Sequence, residues 1–216
     1  MATGIGQYGF GVKSHRYAEA GKYFVATNGT PGTGIIGPVC TTYDATKPTL
    51  LLANPAASDV KLYLDYLRMY VTVVGVGHTS PKIVFALDTA KGVDRWTSGG
   101  TAITPVNVNS GSQVASDAFM YFGAITAAAA GSTRTINSHQ LASAIEVVFD
   151  SWVFDFGAPS HSQHTALANN STTITHGYFG EPPVVLGPGT CFTATVWAGS
   201  LSTGITWGFD MGWIEA

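Results

Sequence analysis

The stretch VKLYLDYLRMYVTVVG, Val60 to Gly75, can be read with apolar residues at helical spacing or in alternation. Periodicity alone leaves Asp59 to Tyr70 open between helix and strand. The β-branched continuation Val71, Thr72, Val73 and Val74 tips the reading towards one long strand. Lys61, Asp65 and Arg68 interrupt the same run, so it is no transmembrane helix.

Strand-like segments continue on both sides. KYFVAT, GIIGPVCTTY, TLLLAN, KIVFALD, AITPVNVN, AFMYFGAITA, AIEVVFDSWVFDFG, TTITHGYF, PPVVLG, TCFTATVWAG and GITWGFDMGWIE are rich in Val, Ile, Thr and aromatic residues. Gly, Pro, Asn, Asp and Ser clusters bound them. Thr89 to Gly100 and Ala158 to Ser171 read as long polar loops at the ends of a sandwich. One or two helical turns are expected over Ser138 to Ala144. No repeat of fixed period is visible, which argues against a propeller or solenoid. The expected fold class is all-β, a jelly-roll-like β-sandwich of about eight to twelve strands with a Gly-rich N-terminal arm. Residues 1–20, where Gly4, Gly6, Gly9 and Gly11 alternate with Ile5, Tyr8, Phe10 and Val12, read as an extended arm; residues 21–216 read as a single domain.

Composition narrows the function. The chain has 216 residues, 45% of them hydrophobic, so a sizeable core is available and disorder is excluded. Its 10 basic and 13 acidic residues make 11% charged, under half the usual share, so no direct nucleic-acid binding through a basic surface is expected. The first 24 residues hold no apolar signal segment, so synthesis in a cytoplasm is expected. Cys40 and Cys191 form no disulfide framework; two lone core thiols are the simpler reading, with a pair left open.

Candidate chemistry is thin. Gly4, Gly6 and Gly9, and Gly32, Gly34 and Gly37, match dinucleotide-binding spacing, but neither run passes from a strand into a helix. His161, His164 and His176 would suit a transition metal if loop and strand converged, yet the loop supplies no carboxylate to orient them. Asp150, Asp155 and Asp210 are acids that nothing marks as a catalytic pair. Hydrolase signatures are absent. Asn28, Asn169 and Asn170 open glycosylation-type triplets and read as turns. No catalytic, cofactor-binding or metal residue is assigned, and no enzyme or cofactor is expected. Low charge and the glycine–aromatic arm suit an assembling subunit instead.

Pro182 to Gly189 (PPVVLGPG) reads as strand and tight turn, then Cys191 to Trp197 as a strand, and Gly212-Trp213-Ile214-Glu215 ends the last. This ending resembles that of jelly-roll virion proteins of tailed bacteriophages: capsid decoration, minor capsid and head-fibre-like proteins. The segments LRMYVTVVGVGHTSPKIVFALD and RWTSGGTAITPVNVN are similar to their middle region, and the resemblance covers about half of the chain. It implies a non-enzymatic subunit found in the virion, partnered by itself, most often as a homotrimer, and by other capsid proteins, with no membrane. The alternative is a trimeric receptor- or carbohydrate-binding head, with Trp96, Tyr178 and Trp207 as stacking platforms.

Overall fold

The computed structural model describes residues 9–30, 32–77, 79–141, 147–158, 162–169 and 172–216, with the backbone alone for 9–13, 79, 162–169 and 172–175. These residues form one α-helix, a single 3-10 turn at Val93–Arg95 and fifteen strands. In chain order the helix and strands are α1 (Gly9–Glu19), β1 (Tyr23–Thr27), β2 (Ile35–Ile36), β3 (Leu50–Ala53), β4 (Leu62–Val73), β5 (Thr79–Asp88), β6 (Trp96–Ile103), β7 (Val106–Asn107), β8 (Phe119–Ala127), β9 (Thr133–Gln140), β10 (Ser151–Phe156), β11 (Ser162–Asn169), β12 (Thr172–Glu181), β13 (Val185–Leu186), β14 (Cys191–Gly199) and β15 (Thr206–Glu215). Three of the fifteen are only two residues long, which leaves twelve substantial strands, within the expected number.

The strands make two sheets packed as an all-β sandwich. The first has nine strands, in the order β11-β12-β10-β4-β15-β1-β7 with β13 on β4 and β2 on β15; the second runs β6-β8-β3-β14-β5-β9. The ambiguous stretch becomes β4, and its β-branched end carries it as a strand into its pairing with β15, Val71 opposite Trp207. Aromatic rings join the two sheets. Phe122 of β8 stacks on Phe209 of β15 at 4.0 Å, and Phe85 of β5 meets Phe154 of β10 edge-on at 4.8 Å. Phe192, Trp152, Trp207 and Trp213 are buried among them. Each such ring contributes about 1.5–3 kcal/mol through burial alone. A polar clasp adds to this layer: buried Glu181 on β12 takes hydrogen bonds from Asn137 Nδ2 at 3.0 Å and His139 Nε2 at 2.5 Å, both on β9.

Four expectations are corrected. The arm is not extended over Gly9–Glu19, which is helical. Its glycines fall in the first turn, and VKSHRYAE behind them contains good helix formers. The helix stops at Gly21, φ +68°, where Gly21 N donates to Ala18 O and Lys22 N to Tyr17 O, the paired bonds of a Schellman cap. Second, the loops expected over Thr89–Gly100 and Ala158–Ser171 contain β6 from Trp96 and all of β11. Third, Ser138–Gln140 continue strand β9 rather than turn into helix; residues 142–146 lie outside the described ones. Fourth, GIIGPVCTTY keeps only Ile35–Ile36 as strand, because Pro38 has no N–H for a ladder.

Candidate functional site

Two surface features of the nine-stranded sheet stand out once the core is assigned. The first is an apolar end. Ile36 of β2 lies opposite Thr206 of β15, and Val73 of β4 meets the same residue across a β-bulge, so the three come together at one end of the sheet. Val76 follows in the turn after β4 and bridges to Thr203. On the other flank Phe149 N donates to Val71 O at 2.9 Å, which places Phe149 beside the same end of β4. Ile36, Val73, Val76 and Phe149 are 50, 57, 59 and 68% exposed. Four large apolar side chains are thus exposed around one end of the sheet. Phe149 also holds φ +78°, a conformation that costs a non-glycine residue about 1–3 kcal/mol. The turn that carries it is closed by Asp150 Oδ2, which accepts from Val147 N.

The second feature is the outer face of the sheet, which the strand register lays out in rows. Ser151, Tyr70 and Gly208 form one row with His176; Val153, Arg68 and Asp210 form the next with Tyr178; Asp155, Tyr66 and Gly212 form the third with Gly180. The glycines of β15 explain why tyrosines lie there. The Tyr70 ring occupies the space that a Cβ at Gly208 would need, and Tyr66 Cε1 comes within 2.6 Å of the Cβ position at Gly212. Each ring lies across the glycine of the neighbouring strand and covers backbone that has no side chain of its own.

Polar groups stand between the rings. Arg68 Nη1 is 3.6 Å from Asp210 Oδ2, and its guanidinium is 5.4 Å from the Tyr70 ring centre. Burial raises the Asp210 carboxyl above the ordinary range, with Arg68 pulling the other way. The Tyr178 hydroxyl donates to Asp155 Oδ2 at 2.5 Å, and that hydrogen bond, helped by burial, pushes the phenol up to about 12. At the margin the Tyr23 hydroxyl donates to Asp65 Oδ2 at 2.6 Å; burial first and this bond second raise it further. Ser151 Oγ and His176 Nδ1 share a hydrogen bond of 2.7 Å. At neutral pH the Tyr23 and Tyr178 phenols are protonated, so they present hydroxyls beside the Asp side chains and the Arg68 guanidinium.

The candidate residues named from the sequence are scattered by this geometry. His161 lies outside the described residues. His176 sits opposite Thr165 rather than His164, and among the described residues no group of three potential metal ligands forms. Asp155 and Asp210 lie on flanking strands with β4 between them, and Asp150 is buried in its turn. Cys40 and Cys191 are both free and buried; burial pushes the Cys191 thiol up to about 12. After Gly37 no helix follows, and a Cβ there would meet the Trp207 indole at 3.2 Å. Gly4 and Gly6 lie outside the described residues. Asn28 is buried in its turn and accepts from Phe209 N at 3.2 Å.

Of the expected stacking platforms, Trp207 is a core residue at 1% exposure, and Trp96 stacks on Tyr121 at 4.5 Å on the opposite sheet. Tyr178 alone stands on the tyrosine face. Its companions Tyr66 and Tyr70 carry no motif that singles them out, although the pair Gly208 and Gly212 in GFDMG is a signal that points to them. No protein-family model and no curated protein matches this chain.

Proposed function

We propose that this chain is a non-enzymatic structural subunit of a bacteriophage virion, a capsid-associated component that acts through subunit contacts. The observation that carries the reading is the apolar end formed by Ile36, Val73, Val76 and Phe149. A chain with 11% charged residues and such an end gains by excluding water from it. The resemblance of the C-terminal third to phage virion proteins supplies the setting: synthesis in the host cytoplasm, then residence on the particle. A trimer fits best, each contact burying on the order of 1,600 Å².

Native mass spectrometry and sedimentation of the full chain at micromolar concentration test this. A closed oligomer is expected, and the double variant Val73→Asp, Phe149→Ser should run as a folded monomer with an unchanged circular-dichroism spectrum. Both side chains are exposed, so the variant should stay folded, with apparent stability falling only by what assembly contributes. A wild type that stays monomeric, or an oligomer indifferent to both substitutions, overturns assembly through this end.

A further inference from the structure

We infer that the outer face of the nine-stranded sheet is a binding site for a neutral polysaccharide, held by Tyr66, Tyr70 and Tyr178 with Arg68, Asp155 and Asp210. The site is separate from the apolar end and does not depend on assembly through it. The choice of ligand follows from the chemistry of the face. Tyr66 and Tyr70 lie across Gly212 and Gly208, so each ring rests against glycine backbone, and the Arg68 guanidinium stands over Tyr70 at 5.4 Å from the ring centre, leaving Tyr66 as the uncapped ring and Tyr70–Arg68 as a mixed apolar and donor surface. A ring backed by the main chain is what the C–H face of a pyranose packs against, and Tyr supplies that area with little rotamer entropy to lose. The two rings come four residues apart on β4, about 13 Å along the strand. That is the span of a short oligosaccharide rather than of one sugar.

Sugar hydroxyls need acceptors and donors beside the rings, and the middle and lower rows provide them. Asp155 Oδ2 takes the Tyr178 hydroxyl and keeps lone pairs for further donors. Arg68, with its side chain 50% exposed, supplies donors, and Asp210 beside it is 27% exposed. Charge decides between classes of glycan. Asp65, Asp155 and Asp210 outnumber Arg68, so uronates, sialylated chains and phosphate-bearing polymers would meet net repulsion. A peptide partner would seek an apolar groove or a free strand edge, and these rows offer neither: they lie in the middle of the sheet with β12 and β1 beyond them.

The test is titration of the full chain with neutral hexose oligosaccharides of several linkages, followed by isothermal calorimetry and tyrosine fluorescence. Saturable binding is expected for at least one linkage, and acidic oligosaccharides of the same length should not bind. Tyr66→Ala and Tyr70→Ala should each weaken it by about tenfold. Because those variants uncover glycine backbone, Asp155→Asn serves as a second probe that leaves the rings in place; it should weaken binding several-fold with an unchanged melting curve. Trp96→Ala, on the other sheet, should bind as wild type does. Absence of binding by every neutral oligosaccharide overturns the proposal, as does binding that survives Tyr66→Ala, Tyr70→Ala and Asp155→Asn together. If those three substitutions change only the subunit count, the face is instead an interface between copies, which also overturns it.

Discussion

On the six-stranded sheet the outer face is closed by the chain itself, whereas on the nine-stranded sheet it is left open. The closure over β3 and β14 comes from the turn Val93–Arg95 together with two side chains of the sheet itself, Trp96 of β6 and Tyr121 of β8. Val93, Trp96 and Tyr121 pack on Leu51, Ala53, Ile125 and Cys191, and Arg95 Nη2 reaches across to Ala45 O at 2.7 Å. Burying that face draws a charge pair inside: Arg95 and Asp88 are each 2% exposed, with Arg95 Nε 3.6 Å from Asp88 Oδ2. The open face carries the comparable pair Arg68–Asp210, also at 3.6 Å, with solvent on one side. The same separation therefore has different worth, because water screens one pair and is excluded from the other. A sheet covered by its own loop must solve a burial problem internally; a sheet covered by rings on glycines leaves its surface for something else.

The sharpest break in this comparison comes at Asp88. Its carboxylate accepts from four backbone N–H groups, those of Ala90, Lys91, Gly131 and Ser132, besides facing Arg95. Asp88→Ala would strand all of these and leave the guanidinium without its counter-charge, at a cost of about 3–5 kcal/mol in urea unfolding. A loss under about 1 kcal/mol would mean that the sealed face is not dry. The acid limb gives an independent reading. Burial pushes the Asp88 carboxyl up, but the Gly131, Ser132 and Ala90 N–H groups and Arg95 together hold it below the ordinary carboxylate range. A depressed folded value means that its stabilisation is complete above the unfolded Asp value near 3.9 and is lost as pH falls through the lower folded one. Asp88→Asn should flatten the wild-type loss of stability in that window.

Which elements are legible in the sequence follows the same division. β4, β14 and β15 bury side chains, so their composition has to be apolar and β-branched, and each reads as a strand. The strands that composition hides, β6, β9 and β11, are all sheet edges. β6 and β9 bury almost nothing, so TSGGTA and TRTINSHQ are held by ladder bonds that any residue with an N–H can make. The helix is hidden for a related reason: glycines at its start mask the helix-forming run that follows. The tyrosine face is only half legible. Alternation marks Tyr66 and Tyr70 as facing one way, but the rings lying across Gly208 and Gly212 depend on a cross-strand register that no local pattern states.

Gly208 offers the next test. A Cβ there would collide with the Tyr70 ring, so Gly208→Ala must lift that ring or shift β15, and overpacking of this kind costs about 1–3 kcal/mol. Gly187→Ala is the matched control, since nothing lies within 4 Å of the added methyl and no positive φ is involved. It should be neutral or gain up to about 1 kcal/mol by restricting the unfolded chain. Thermal melts of the two side by side read the difference. Equal effects would mean that the ring does not rest on the glycine, and the idea of a tyrosine surface backed by the main chain would go with it.

The smallest effect belongs to the exposed pair. Arg68→Ala should lower stability by no more than about 1 kcal/mol, a loss that shrinks further in high salt. Asp210 supplies the sign that separates this pair from the sealed one. Its folded carboxyl is raised by burial, so its contribution is greatest below the unfolded Asp value and falls as pH rises through the folded one. Asp210→Asn should therefore gain stability at neutral pH where Asp88→Asn loses it, and the two variants' pH curves should run in opposite directions through the acid range. If Arg68→Ala instead costs as much as Asp88→Ala, water does not reach the nine-stranded sheet's outer face, and the contrast between a closed face and an open one fails.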